Sequence, residues 1–151
     1  MRAFRIAKAA HLDQVLSGIG AALYPGRWNS RGVAVVYTAT SASLAMLEML
    51  AHLPRTTVPS SYLLVEFELP DDSVRPLEPV PRRFDALPIR GATRAAGDRW
   101  IASAGSLGLL VPSAVVPSEH NLLINPAHPR IGEIARIGSA PLRWDERLFR
   151  K

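Results

Sequence analysis

The sequence predicts an α+β fold built as one domain of 151 residues. Two runs rich in β-branched and aromatic residues, VAVVYTA (33–39) and SYLLVEFELP (61–70), read as strands. Between them SASLAMLEMLAHL (41–53) is made of good helix formers, opens on serines and stops at Pro54. No stretch has the composition of a linker, and no internal repeat or low-complexity block appears.

In chain order, RAFRIAK (2–8) alternates well enough for an opening strand, and HLDQVLSGIGAAL (11–23) reads as a short helix or turn running into glycines. The strand, helix and strand just named follow. From Asp71 to Asp98 the chain is rich in proline, arginine and aspartate, with weak periodicity. That stretch reads as a long irregular connection with room for a helical turn or two. A helix is expected from Asp98 to about Ser103, a strand through Leu109–Val111, and a short strand in HNLLINP (120–126). The closing segment RIGEIARIGSAPLRWDERLF is expected to form a strand pair.

Composition narrows the function classes. Hydrophobic content of 48% against 21% charged residues describes a globular chain long enough to bury a core. Thirteen prolines imply frequent loops. The absence of cysteine removes disulfides, thiolate nucleophiles and Cys-ligated zinc, and is compatible with the cytoplasm, the expected location. No run is long and apolar enough to span a bilayer, and MRAFRIAKAAHLD does not read as a signal peptide. The net charge is +5, and only Lys8 and Lys151 are lysines among the basic residues. Arginine offers a planar fork for phosphates and carboxylates. The arginines are nevertheless spread along the whole chain, with only Arg82 and Arg83 adjacent. A nucleic-acid-binding module concentrates its charge on a helix or stripe, so that reading ranks last.

One run stands out. After Arg27 and Arg31, which flank Trp28 and Asn29, the chain reaches Arg55 with a single formally charged side chain, Glu48. On a helix, residues 44, 48, 51 and 52 share a face, so Glu48 lies among Leu44, Ala51 and His52. An unpaired buried carboxylate is costly, so Glu48 must meet solvent, a cation or a ligand cleft; periodicity leaves these open. Arg27 and Arg31 are either solvated loop residues or a fork for a phosphate, and Trp28 suits packing. Tyr37 is either a structural tyrosine or a ring offered to a planar ligand at a strand end. Ser113 follows Pro112 without a G-x-S-x-G elbow, which suits a hydrogen-bonding serine rather than a hydrolase nucleophile. Asn121 and Asn125 read as turn residues or ligand donors. His120 and His128 have poor spacing for a metal, and none is expected. Neither a dinucleotide-binding nor a P-loop glycine motif is present.

The ordered segments SGIGAALYPGRWNSRGVAVVYTATSASLAMLEMLAHL, GDRWIASAGSLGLLVPSAVV and NLLINPAHP, closing in WDERLF, resemble the RES domain family. The family's arginine, glutamate and serine match Arg27, Glu48 and Ser113, and its usual tyrosine matches Tyr37. The resemblance runs from Arg5 to Phe149 and is weakest over Asp71–Asp98. It implies a central, mostly antiparallel sheet with short flanking helices, similar to ADP-ribosyltransferase folds.

It also implies a bacterial toxin of a toxin–antitoxin pair that cleaves NAD at the nicotinamide–ribose bond, by phosphorolysis or hydrolysis. The alternative is transfer of ADP-ribose to a protein. NAD is then a substrate and no cofactor is expected. An Xre-type helix-turn-helix antitoxin is the implied partner, DNA is reached only through it, a homodimer is compatible, and no membrane is involved. Under this reading Glu48, Arg27 and Tyr37 are the catalytic candidates. Arg27 holds the pyrophosphate, Tyr37 stacks on nicotinamide, Ser113 bonds its carboxamide or ribose, and Asn125 and Arg31 are lesser contacts.

Overall fold

The computed structural model describes residues 1–54 and 59–149; Arg55, the cation that ends the low-charge run, and Lys151 lie outside the described residues. Among these residues seven strands form one sheet: β1 (Arg2–Lys8), β2 (Val36–Ala39), β3 (Tyr62–Glu68), β4 (Val74–Pro76), β5 (Gly108–Pro112), β6 (His120–Ile124) and β7 (Ala135–Pro141). Their spatial order is β4-β5-β6-β2-β1-β3-β7. Every neighbouring pair is antiparallel except β4–β5. Among the described residues three α-helices accompany it: α1 (Ile19–Leu23), α2 (Ala42–His52) and α3 (Gly91–Ser103). The expected α+β fold, with a mostly antiparallel sheet and short helices, is what the chain forms.

Strand alternation sorts the core into two layers. On one face Ala3, Val36, Val65, Phe67, Leu122 and Ile124 pack into a cluster closed by Val15, Leu69, Val74 and Leu107. On the other face Leu109, Val111 and Leu123 pack against Trp28 and Trp100, while Ala39 packs against Leu44 and Ala45 of α2. Both long helices lie on this second face.

Four expectations need correction. The run VAVVYTA is strand only from Val36 to Ala39; Val33–Val35 instead pack beside Trp28 as an irregular lead-in. The helix expected from Asp98 begins at Gly91. The connection after Asp71 holds a three-residue 3-10 turn and β4, and only residues 77–90 are without regular structure. The closing segment contributes one strand, β7, which pairs with β3 rather than with a partner of its own.

Between β1 and β2 the ladder is short, with Phe4 opposite Ala39 as its register pair. Arg5 reaches into the opening and donates to the Tyr37 carbonyl at 2.7 Å. Burial lowers its guanidinium pKa, and its Nε has no partner among the described residues.

Candidate active site

The site is assembled on the helix-bearing face, where three strands bring their residues into rows. Register places Tyr37 opposite Leu123 and Leu123 opposite Leu109; the next row is Ala39, Asn121 and Val111. Two residues along a strand is about 7 Å, so Tyr37 and Asn121 stand in adjacent rows of one surface. Ser113 follows β5, and its backbone N–H donates to the Glu119 carbonyl at 3.0 Å.

Helix α2 lies over the end of these rows. Ser41 caps it, accepting from the Leu44 N–H at 3.1 Å, which satisfies one of the open N–H groups of the first turn. Leu44 and Ala45 are buried against the sheet. Glu48 follows on the same stripe one turn later, so it too turns toward the sheet. There its Oε1 accepts from Ser113 Oγ at 2.8 Å and from Asn121 Nδ2 at 2.5 Å. The carboxylate is thus paired with two neutral donors rather than with a cation. This resolves the question the sequence left open: Glu48 is half-buried and bonded, not a solvent-facing helix residue.

Tyr37 and Arg27 form a second group. The Tyr37 hydroxyl donates to Asn29 Oδ1 at 2.8 Å and accepts from the Trp28 N–H at 2.9 Å. Burial is the main cause that pushes its pKa up to about 12, so the phenol is neutral at pH 7. Asn29 is fully buried and donates to the carbonyls of Ala21, Ser30 and Val33, fastening the 24–33 loop upon itself. Gly26 is pressed against this hydroxyl: a Cβ there would sit 2.7 Å from the tyrosine oxygen. Arg27 extends from the loop and donates to the carbonyls of Phe84 and Ala86 at 2.6 and 3.0 Å, leaving its other guanidinium nitrogens without a protein partner among the described residues.

Helix α3 backs this loop. Arg94 Nε donates to the Gly26 carbonyl at 3.2 Å, and Asp98 Oδ1 accepts from the Ser30 N–H at 2.9 Å. Arg94 and Arg27 both lie close enough to Tyr37 to favour its anionic form, although burial outweighs them.

The structure therefore joins Glu48 and Ser113 directly, and sets Tyr37 with Arg27 on the same face. It separates the two lesser candidates from them. Arg31 is exposed and makes no side-chain hydrogen bond among the described residues. Asn125 lies four residues beyond Asn121, about 13 Å along the strand direction, and is 1% exposed. Its amide donates to the Ile101 carbonyl and its Oδ1 accepts from the Ala127 N–H, so it closes the turn after β6. In the sequence Asn121 reads only as a turn residue or a donor, and Arg94 does not stand out. The only signal for Asn121 was its place on the strand bearing HNLLINP; for Arg94 it was the four-residue spacing to Asp98, visible once the helix is begun at Gly91. Among the described residues no cluster of three His, Asp or Glu side chains is arranged to hold a metal.

Comparison with known proteins finds relatives that span most of the chain. Toxin Res of Yersinia enterocolitica is 42% identical over 130 residues, covering 85% of this chain and 86% of its own length. The Prs ADP-ribosylating toxin of Sphingobium sp. strain YBL2 is also 42% identical, over 141 residues, with 90% and 88% covered. The crystal structure of the M. tuberculosis MbcT-MbcA toxin-antitoxin complex contains a chain of the same fold, with a TM-score of 0.65 at 23% identity, spanning 93% of this chain and 83% of that one. The family model described as the RES domain matches residues 2–145, and the chain belongs to the RES domain family.

Proposed function

We propose that this chain is a toxin that cleaves NAD at the nicotinamide–ribose bond and is neutralised by a cognate antitoxin of the Xre helix-turn-helix type. The observation that carries the reading is Glu48, a carboxylate held by two neutral donors on the face that also presents Tyr37 and Arg27. The names Toxin Res and Prs ADP-ribosylating toxin, borne by relatives of 42% identity, support it.

The chemistry follows from those groups. When the C1′–N bond breaks, its electron pair leaves with nicotinamide, which departs neutral and needs no general acid. Positive charge develops on the ribose, and a nearby carboxylate stabilises it. Glu48 fills that role. The free guanidinium nitrogens of Arg27 suit the pyrophosphate, fixing the dinucleotide while the bond opens. Tyr37 contributes its ring and not a proton, because its one hydroxyl proton is committed to Asn29 Oδ1. An oxygen of phosphate or water then attacks C1′, and for water the proton passes to solvent. The second reading, transfer of ADP-ribose to a protein, shares the bond-breaking step and differs only in the acceptor; the name of the Sphingobium relative favours it.

Incubation of the purified chain with NAD, with and without phosphate, tests this through nicotinamide release. Release is expected, and Glu48→Gln or Arg27→Ala lowers it at least ~100-fold, the scale of losing a transition-state contact, without unfolding the domain. Absence of release with either acceptor overturns NAD cleavage into solution. Label from NAD-borne ADP-ribose appearing on a macromolecule selects the transferase. If both variants stay active, the site is elsewhere.

A further inference from the structure

We propose that Ser113 and Asn121 are positioning residues that together clamp one oxygen of Glu48, leaving Oε2 as the atom that meets the substrate, and that Ser113 itself does not touch the dinucleotide. The proposal deepens the NAD-cleaving reading above and rests on it for its kinetic test.

A serine hydroxyl has one proton and two lone pairs. The Ser113 proton goes to Glu48 Oε1 at 2.8 Å, and its oxygen accepts the N–H groups of Val115 and Val116 at 3.1 and 3.0 Å. With 0% of the residue exposed, no capacity is left for a ligand. The tight turn of residues 113–116 thus converts the serine into a fixed donor aimed at α2. Asn121 supplies the second donor from a more rigid place. It is paired with Ala39 on one side and Val111 on the other, so β6 cannot shift there without breaking two ladders. Its amide donates to the same oxygen at 2.5 Å.

Both donors arrive at Oε1, and among the described residues none reaches Oε2. The two lone pairs of Oε1 are filled, so the carboxylate plane is fixed and Oε2 projects with its lone pairs free. The helix that carries Glu48 is tied to the same turn: Ser41 Oγ, the α2 cap, contacts Glu119 Oε2 at 3.3 Å, while the Glu119 carbonyl takes the Ser113 N–H. Helix start, turn and carboxylate are therefore linked by hydrogen bonds. A group that stabilises charge only as the bond breaks gains from such fixing in kcat, with little effect on substrate binding.

The test compares wild type with Asn121→Ala, Asn121→Asp and Ser113→Ala. Nicotinamide-release kinetics should show kcat lowered 10- to 100-fold in the two alanine variants, with KM within about twofold. Asn121→Asp, which sets a second carboxylate against Oε1, should be lowered further. A raised KM at unchanged kcat in Ser113→Ala makes the serine a substrate contact and overturns the proposal, as does an unchanged kcat in a folded Asn121→Ala. If Ser113→Ala fails to fold, the asparagine variants decide.

A second readout needs no activity. In ¹H–¹⁵N spectra one side-chain amide proton of Asn121 should lie downfield and return toward the free position in Glu48→Ala. Absence of that change overturns the clamp. If wild type releases no nicotinamide, the NAD-cleaving reading fails and this spectrum alone settles the clamp.

Discussion

Tyr37 shows how a single side chain links the strand to the loop that presents Arg27. Sequence offered two roles for it, a structural phenol or a ring facing a ligand, and its hydroxyl now has a definite structural one, between Asn29 Oδ1 and the Trp28 N–H. Burial favours the neutral phenol and raises its pKa from 10.0 to about 12. Between those values the folded protein keeps a proton that the unfolded chain releases, so stability falls as pH rises through that window and is complete below pH 10. A shift of this size corresponds to roughly 2–3 kcal/mol at its full extent. Tyr37→Phe removes this alkaline dependence. It also lowers stability below pH 10 by about 1–2 kcal/mol, because the Trp28 N–H loses its acceptor. Urea midpoints of both proteins between pH 8 and 12 measure the two effects; parallel curves would assign the alkaline loss to other groups. Glu48 was visible for a different reason. A carboxylate alone in a long apolar run cannot be left unexplained. Asn121 carried no such mark, since an asparagine acquires meaning only through the register that sets it between Ala39 and Val111.

Elements were legible where hydrophobic side chains made the pattern. β1, β3 and α2 form almost where alternation, helix formers and a serine cap place them. Helix α3 began seven residues earlier than its sequence suggested. Its buried stripe is Thr93, Ala96, Gly97 and Trp100, a helical spacing in which three of four residues are small or polar, so the apolar period is nearly silent. The small side chains are there because the 24–31 loop packs directly on the helix backbone. A Cβ built at Gly97 would fall 1.8 Å from the Trp28 carbonyl oxygen. Gly97→Ala therefore has to move the loop or the helix, and the usual gain of alanine in a helix interior is outweighed. A loss of about 2 kcal/mol or more is expected. Thermal melts measure it, and nicotinamide release should fall as well because Arg27 sits on the displaced loop. A melting temperature equal to or above wild type would mean that the loop does not rest on α3. The single closing strand has a related cause. β7 completes the free edge of β3, a long-range pairing that nothing local in RIGEIARIGSAPLRW specifies.

At the scale of the molecule, both faces of the sheet bury a core, but the candidate site lies on one of them. Glu48, Ser113, Asn121 and Tyr37 all belong to the face covered by α2 and α3, whereas the cluster of Ala3, Val36, Val65, Phe67, Leu122 and Ile124 fills the other. That second cluster joins residues of β1, β2, β3 and β6, so removing a large side chain from it weakens the whole sheet. Phe67→Ala is expected to cost about 3–5 kcal/mol, a large fraction of the roughly 5–15 kcal/mol that holds a domain of this size. Yet Phe67 is on the strand two places from β2, pointing away from the site. In the cold and without denaturant, where circular dichroism shows the variant folded, its kcat for nicotinamide release should match wild type within about twofold, since no transition-state contact is removed. The urea midpoint, read in the same samples, should drop sharply. Asn121→Ala is the mirror case, losing turnover while remaining folded. Equal losses of kcat in folded Phe67→Ala and Asn121→Ala would show that the faces are coupled through β1 and β2, where the short ladder and Arg5 are the connection that would carry it.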